Sequence, residues 1–297
     1  MELPLLHSSD PVSYTARIVA AKRAIEQLRA SPLFRDPYAA VLAGDEVDAL
    51  LSRWQRVAET RAVPLEQVIT KRTRYIAVRT KFMDDLLNST LTEPEYRQVV
   101  ILGAGLDTRA YRLAWASGTT LYEVDCPEVL QYKAQVLQDI TPTCTYRPVA
   151  GDLAAPEAKW ATAILEAGYQ TTVPTIWLLE GVVMYLPEQA VHLLLQTLCQ
   201  LSVPGSVLGM DGVKVGSILA GQRARNADRG RVVRHWQFGH DAPKQLLASY
   251  GWVAAVSEPQ DIQVGGRYPR SLPIGTETPD PDDGRGVWLV NATYLPC

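Results

Sequence analysis

Short apolar runs that alternate with helix-length segments are the feature of this sequence that most restricts its fold. From Gln98 onward, five such runs carry a Gly or Asp at their end: VVILG, TLYEVD, YRPVAGD, TIWLLEG and SVLGMDG. Segments between them, such as DCPEVLQYKAQVLQDI and LPEQAVHLLLQTLCQL, have the spacing of amphipathic or buried helices. Strands that alternate with helices require right-handed crossovers and therefore a parallel sheet. We expect an α/β fold with helices on both faces of the sheet.

The first ninety-odd residues have a different pattern, with apolar residues at helical spacing and no strand-like run. TARIVAAKRAIEQLRA ends before Ser31-Pro32, a second helix is predicted to start near Asp36-Pro37, and EQVITKRTRYIAVRTKFMDDLLNS forms a third. We predict a helical cap over residues 1–95, which folds over the strand ends as a lid. Residues 96–297 then form the core, with an insertion at about 213–245.

Composition excludes several classes of partner and site. The 297 residues carry 29 basic and 32 acidic side chains, a net charge of −3, so no overall field favours nucleic acid or anionic lipid. The four cysteines have neither CxxC nor zinc-ligand spacing, so we expect reduced thiols, no metal site and a cytoplasmic protein. No signal peptide and no apolar stretch of roughly 20 residues is visible, so we expect no membrane partner.

Candidate binding residues stand at the ends of the predicted strands, where open parallel sheets bind ligands. Gly103 and Gly105 form a strand-to-helix turn whose backbone amides can approach a nucleoside, although Thr108 replaces the third glycine of the dinucleotide fingerprint. Asp125 follows at the spacing of a ribose-binding carboxylate, which suits NAD and S-adenosylmethionine equally. Two further acidic residues, Asp152 and Glu180, close the third and fourth runs.

Several motifs in a fixed order resemble one known family. GAGLDTRAYRL, EVDCPEVLQYK, GDL and WLLEGVVMYLP are similar to the signature of the leucine carboxyl methyltransferase family, and YTARIVAAKRAIE, FRDPYAAVL and VRTKFMDD also resemble it. The similarity spans roughly residues 9–212 and the final strand. It implies a Rossmann-like, mostly parallel seven-stranded sheet and an S-adenosylmethionine-dependent O-methyltransferase, of which the bacterial members include enzymes of specialised metabolism.

The resemblance also implies roles for individual residues. Matched by motif, Lys22 and Arg79 would bind the carboxylate of the cofactor's methionine portion, and Glu180 would bind its amino group. The backbone of Gly103 and Gly105 would contact the cofactor, and Asp125 would bind the ribose. Asp152 and Leu153 would contact the adenine. A zwitterionic sulfonium ligand requires cations and anions of this kind.

The acceptor is defined less clearly. A carboxylate acceptor needs no base, whereas a phenol or alcohol needs a group that takes its proton. The resemblance implies that the insertion at about 213–245 forms a lid and part of an acceptor pocket. His235 and His240, in HWQFGH of this insertion, are candidate bases, and Tyr185 is a candidate for orienting the acceptor oxygen or for packing alone. The arginines of GQRARNADRGRVVRHW form either a solvated helix face or a clamp for an acidic acceptor.

Other functions stay open from the sequence. A small-molecule acceptor competes with the carboxyl terminus of a protein. An NAD-dependent oxidoreductase shares the glycine turn and Asp125 but does not account for Lys22, Arg79 or Asp152. A binding protein that kept the nucleoside pocket without turnover is a third alternative. The oligomeric state is not predicted.

Overall fold

The computed structural model describes residues 11–223, 235–259, 262 and 286–296, with side chains from Tyr14 to Ala220 in the first range. Its strands are β1 (Gln98–Leu102), β2 (Thr120–Asp125), β3 (Thr145–Ala150), β4 (Thr175–Leu179), β5 (Val207–Val213), β6 (Trp252–Ser257) and β7 (Val287–Tyr294). They form one sheet in the order β3-β2-β1-β4-β5-β7-β6, in which β7 is antiparallel to both of its neighbours. The remaining pairs are parallel. This confirms the predicted Rossmann-like, mostly parallel sheet.

Helices flank both faces of the sheet. They are α1 (Pro11–Glu26), α2 (Ala39–Ala43), α3 (Glu46–Arg61), α4 (Leu65–Thr90), α5 (Arg109–Arg112), α6 (Pro127–Val136), α7 (Lys159–Glu166), α8 (Glu188–Leu201), α9 (Val215–Arg223) and α10 (Pro243–Ala248). A single 3₁₀ turn, Val183–Tyr185, follows β4. No described helix has both the length and the apolar character that a bilayer crossing requires.

The central strands are buried on both sides, which explains their unbroken apolar sequences. All five residues of β1 are buried, and alternate residues enter different apolar clusters. Val99 and Ile101 pack in the cluster that contains α1, α3 and α4. Val100 and Leu102 pack in the cluster that contains α7, α8 and α10. The N-terminal helices therefore share a core with one face of the sheet.

The structure adds detail that the sequence-based prediction lacked. The segment predicted to start near Asp36-Pro37 contains two helices, α2 from Ala39 and α3 from Glu46, and Asp36 Oδ1 accepts the Tyr38 N–H just before α2. Helix α7 was not predicted from the sequence. Its first turn follows Ala158, which has a left-handed backbone (φ 43°), and it buries Trp160 and Ile164.

Candidate active site

The carboxyl ends of the central strands lie in one line across the sheet. Leu102 of β1 pairs with Val124 of β2, and Leu179 of β4 pairs with Met210 of β5. The next residue of each strand is Gly103, Asp125, Glu180 or Asp211. The topology therefore places a glycine turn and three carboxylates along one edge, at the position where ligands bind in such folds.

Gly103 and Gly105 form the turn after β1, and both have left-handed backbones with φ values of 64° and 53°. The Gly105 N–H donates to Asp125 Oδ2 at 2.6 Å, and the Cys126 N–H donates to Asp125 Oδ1 at 2.7 Å. A Cβ at Gly103 would lie 2.5 Å from a methyl carbon of Val182, which leaves no space for a side chain. The turn and the Asp125 carboxylate are thus held together as one unit.

Glu180 is a largely covered carboxylate, 11% exposed, that lies between two arginines. Arg79 Nε lies 3.0 Å from Oε1, and Arg109 Nη2 lies 2.7 Å from Oε2. Burial opposes ionisation, but Arg109 and then Arg79 outweigh it and lower the pKa of Glu180 to about 2. Glu180 is therefore a fixed anion at neutral pH, as binding of an ammonium group requires.

Arg79 projects from α4 between two carboxylates. Its Nη1 lies 3.2 Å from Asp211 Oδ2, the same oxygen that accepts the Tyr75 hydroxyl. Asp211 Oδ1 accepts the Gly181 N–H at 2.5 Å. Gly181 has φ of 72°, and a Cβ there would lie 2.8 Å from Arg79 Nη1. The loop after β4 is therefore fitted closely around the guanidinium.

Helix α1 covers the glycine turn. Arg23 donates through Nη2 to the carbonyl of Leu106 at 2.6 Å and through Nε to Asp36 Oδ2 at 2.8 Å. Thr108 also donates to Asp36 Oδ2, at 2.8 Å. The neighbouring Lys22 is half-buried on the same helix. These bonds fix α1 to the loop that follows Gly105.

Asp152 and Leu153 follow β3, at the edge of the sheet. The Asp152 side chain is exposed, and its Oδ1 accepts the Ala154 N–H at 2.8 Å. Leu153 is half-buried against the apolar cluster of α7 and α8. Their adenine contacts stay a prediction.

The candidate acceptor residues lie beyond β4 and β5. Burial raises the pKa of the Tyr185 hydroxyl above its ordinary value. His240 Nδ1 accepts the Ala242 N–H at 3.1 Å, so the ring lone pair that a base would use is already engaged. His235 is half-buried directly before Trp236. Of the arginines in the basic segment, Arg225, Arg229, Arg231 and Arg234 lie outside the described residues, as does the side chain of Arg223.

Sequence reasoning missed the ionic groups that support these residues. Asp211 lies inside the fifth apolar run, Arg109 follows the glycine turn, and Asp84 and Tyr75 belong to α4. An ionisable residue inside an apolar run is the signal that could have identified Asp211, because burial of a charge requires partners. Arg109 gave no such signal, since two of its three carboxylate partners, Asp84 and Glu180, are distant along the chain.

Known proteins show the same fold and a related sequence. A crystal structure of a DUF574 family protein from Streptomyces avermitilis has a TM-score of 0.56 at 14% identity, covering 94% of this chain and 96% of that one. A relative from Mycobacterium bovis, "Putative S-adenosyl-L-methionine-dependent methyltransferase", is 36% identical over 282 residues, which are 89% of this chain and 88% of the relative. A relative of the same description from Streptomyces coelicolor is 37% identical over 280 residues, 92% of each chain.

The matched region contains three of the four strand-end residues described above, and Asp211 lies beyond it. The sequence model of the leucine carboxyl methyltransferase family matches residues 16–199, which include the glycine turn, Asp125 and Glu180. Because this model matches more than half of the chain and relatives above 30% identity cover most of its length, the chain belongs to the leucine carboxyl methyltransferase family.

Proposed function

We propose that this protein is an S-adenosylmethionine-dependent O-methyltransferase whose acceptor is a carboxylate or hydroxyl of a small molecule, in specialised metabolism. Its activity as an S-adenosylmethionine-dependent methyltransferase follows from the family and the relatives. The observation that carries the site assignment is the alignment of Gly105, Asp125 and Glu180 along one sheet edge. The family match favours this function over an NAD-dependent oxidoreductase.

The residues present fit the methyl donor in shape and charge. Gly105 offers backbone without a side chain, and the Ala16 methyl group of α1 lies 3.6 Å from where its Cβ would stand. The Asp125 carboxylate, which accepts the Gly105 and Cys126 N–H groups at the end of β2, provides the acceptor chemistry that ribose hydroxyls need. Ionised Glu180 suits the amino group, and Arg79 with Lys22 suits the carboxylate.

When bound, S-adenosylmethionine supplies an electrophilic methyl group on a sulfonium. The chain's own residues then have to orient the acceptor and exclude water. Helix α1, fixed by Arg23 to the Leu106 carbonyl, provides the cover over the glycine turn. The buried ion pairs of Arg79 keep the loop after β4 in a single arrangement around the site.

Tyr185 favours a carboxylate over a hydroxyl acceptor. Burial raises the pKa of its phenol above the ordinary value, because the charged phenolate is poorly solvated there. A phenol that stays protonated donates a hydrogen bond, which suits an anionic acceptor oxygen, and it does not act as a base. His240 Nδ1 already accepts the Ala242 N–H, which disfavours this histidine as a base for a hydroxyl acceptor, and His235 stays a candidate base.

Calorimetry and mass spectrometry test this proposal together. We expect the purified protein to bind S-adenosylmethionine and to release S-adenosylhomocysteine with one or more members of a panel of small carboxylic acids. Matched phenols and alcohols in the same panel separate the two acceptor classes. Absence of S-adenosylmethionine binding would contradict the cofactor assignment, whereas turnover with phenols alone would contradict the preference for a carboxylate.

A protein carboxyl terminus is a second candidate acceptor, favoured by the family match itself. Peptides with a free terminal carboxylate and the same peptides with a terminal amide belong in the panel. Methylation of the free acid peptide above every small molecule would replace the small-molecule proposal.

A further inference from the structure

Arg109 connects three parts of the candidate site and is buried completely. It lies on the first turn of α5, directly after the glycine turn, with a side chain that is 1% exposed. Its Nε donates to Asp84 Oδ1 of α4 at 2.7 Å, and its Nη2 lies 2.7 Å from Glu180 Oε2 after β4. Its Nη1 pairs with Asp107 in its own loop.

This geometry joins the glycine turn, α4 and the end of β4 through one planar group. A guanidinium presents donors in a rigid fork, so three carboxylates on Arg109 have fixed relative positions. An ammonium on a flexible stem cannot reproduce that arrangement. Without Arg109, Glu180 would keep Arg79 on one oxygen and lose its partner on the other.

We propose that Arg109 is a positioning residue for the amino-acid portion of the methyl donor, because it fixes the Glu180 carboxylate relative to the glycine turn. The proposal rests on the proposed function, in which Glu180 receives the amino group. Arg109 acts through Glu180 and does not itself contact the ligand. Neither the sequence motifs nor the family match assigns this role to it.

The nucleoside portion of the site has supports that do not depend on Arg109. The Gly105 N–H bond to Asp125 fixes the turn to β2, and Arg23 binds the carbonyl of Leu106. Lys133 Nζ donates to the carbonyl of Asp107 at 3.2 Å. Loss of the Arg109 guanidinium should therefore affect the amino-acid portion of the ligand more than the nucleoside.

Arg112 provides a matched control on the same helix. It is also buried and makes two bonds to Asp84, from Nη1 at 2.7 Å and from Nη2 at 2.8 Å. Its other carboxylate neighbour is Asp36, and no ion pair links it to Glu180 within the described part of the chain. Replacing Arg112 removes a similar buried charge from α5 and leaves the Glu180 partners in place.

Two thioether ligands separate positioning from a general structural effect. S-adenosylhomocysteine and 5′-methylthioadenosine share the nucleoside and the sulfur, and only the first carries the amino acid. We expect Arg109→Gln to weaken S-adenosylhomocysteine binding by about tenfold or more in calorimetry, because a displaced Glu180 would lose its charged hydrogen bond to the amino group. Binding of 5′-methylthioadenosine should change by less than about threefold, and Arg112→Gln should preserve the ratio of the two affinities. Arg109→Lys should recover only part of the loss.

Each outcome decides the proposal. Equal loss of both ligands in Arg109→Gln, unchanged or tighter S-adenosylhomocysteine binding, or the same change of ratio in Arg112→Gln would overturn it. If neither Arg109→Gln nor Arg109→Lys folds by circular dichroism, Arg109 is a stability residue and the proposal is wrong. Failure of the wild-type protein to bind either ligand would instead contradict the proposed function.

Discussion

The two faces of the sheet are built on different principles. The face covered by α7, α8 and α10 is an apolar layer in which Trp160, Trp177 and Leu194 are fully buried. The face covered by α1 and α4 also has an apolar cluster, but it adds buried ion pairs that reach the strand ends. Those pairs link Asp84 and Asp36 to arginines of α1 and α5.

The difference separates residues that stabilise from residues that position. Apolar packing is non-directional, so the α7–α8 face contributes stability and tolerates small shifts. Charge-assisted bonds have preferred directions, and a buried charge left without its partner is costly. The ionic face therefore holds the glycine turn, Glu180 and α1 in defined positions at the site.

Removal of the Asp84 carboxylate should have the largest effect on the stability of the ionic face. Asp84→Asn keeps the side-chain volume but leaves Arg109 and Arg112 without their shared carboxylate, so we expect a loss of about 3–5 kcal/mol of stability in urea unfolding. The control is the adjacent Asp85→Asn, whose exposed pair with Lys81 should contribute less than about 1 kcal/mol. Equal effects of the two variants would show that the buried pairs contribute no more than exposed ones.

A cavity on the opposite face should destabilise without changing the site. Leu194→Ala removes a fully buried side chain of α8 and should cost about 2–5 kcal/mol in the same unfolding measurement. The affinity for S-adenosylmethionine should stay within about twofold of the wild type under conditions where both proteins are folded. Leu165→Ala, at a position 43% exposed, serves as the control for stability. A large loss of affinity in Leu194→Ala would mean that both faces position the site.

Acid should weaken the ionic face selectively. The Glu180 pKa is lowered from 4.5 to about 2, so the ionised group stabilises the fold above pH 4.5 and this contribution disappears as the pH falls toward 2. The shift corresponds to a contribution on the order of 3 kcal/mol. Unfolding free energies measured between pH 7 and pH 3 should show the difference between wild type and Glu180→Gln shrinking below pH 4.5. The Leu194→Ala deficit should stay constant over the same range, and a parallel decline of both would refute the assignment to Glu180.

The smallest expected effect concerns the ribose carboxylate. Asp125→Ala should weaken S-adenosylmethionine binding by about tenfold or more, because a hydrogen bond that involves a charged group contributes about 1.5–3 kcal/mol. Calorimetry measures the change in affinity. Asp139→Ala, which removes an exposed carboxylate, is the control. Unchanged affinity in Asp125→Ala would remove this residue from the site.

Much of the strand-end site could be predicted because local signals mark it. Gly103 and Gly105 follow an apolar strand and adopt positive φ values, and Asp125 ends the next strand as its sequence suggests. The long helix α4 was predicted almost to its limits, since its apolar residues recur over seven turns. The roles of Lys22, Arg79, Asp152 and Leu153 toward the cofactor stay predictions, as do those of Tyr185, His235 and His240 toward the acceptor.

The sequence by itself determined the order of secondary-structure elements along the chain. It begins with helices, continues with alternating strands and helices, and has a glycine or an acidic residue at each strand end. Periodicity and turn residues act over a few positions, so they can be read without the fold. Only the tertiary structure decided which charged side chains pair. Arg109, for example, pairs with Asp84 of α4 and with Glu180, directly after β4. Buried ion pairs depend on side chains that are distant along the chain, and the free energy that selects them arises only when packing removes water from all partners together.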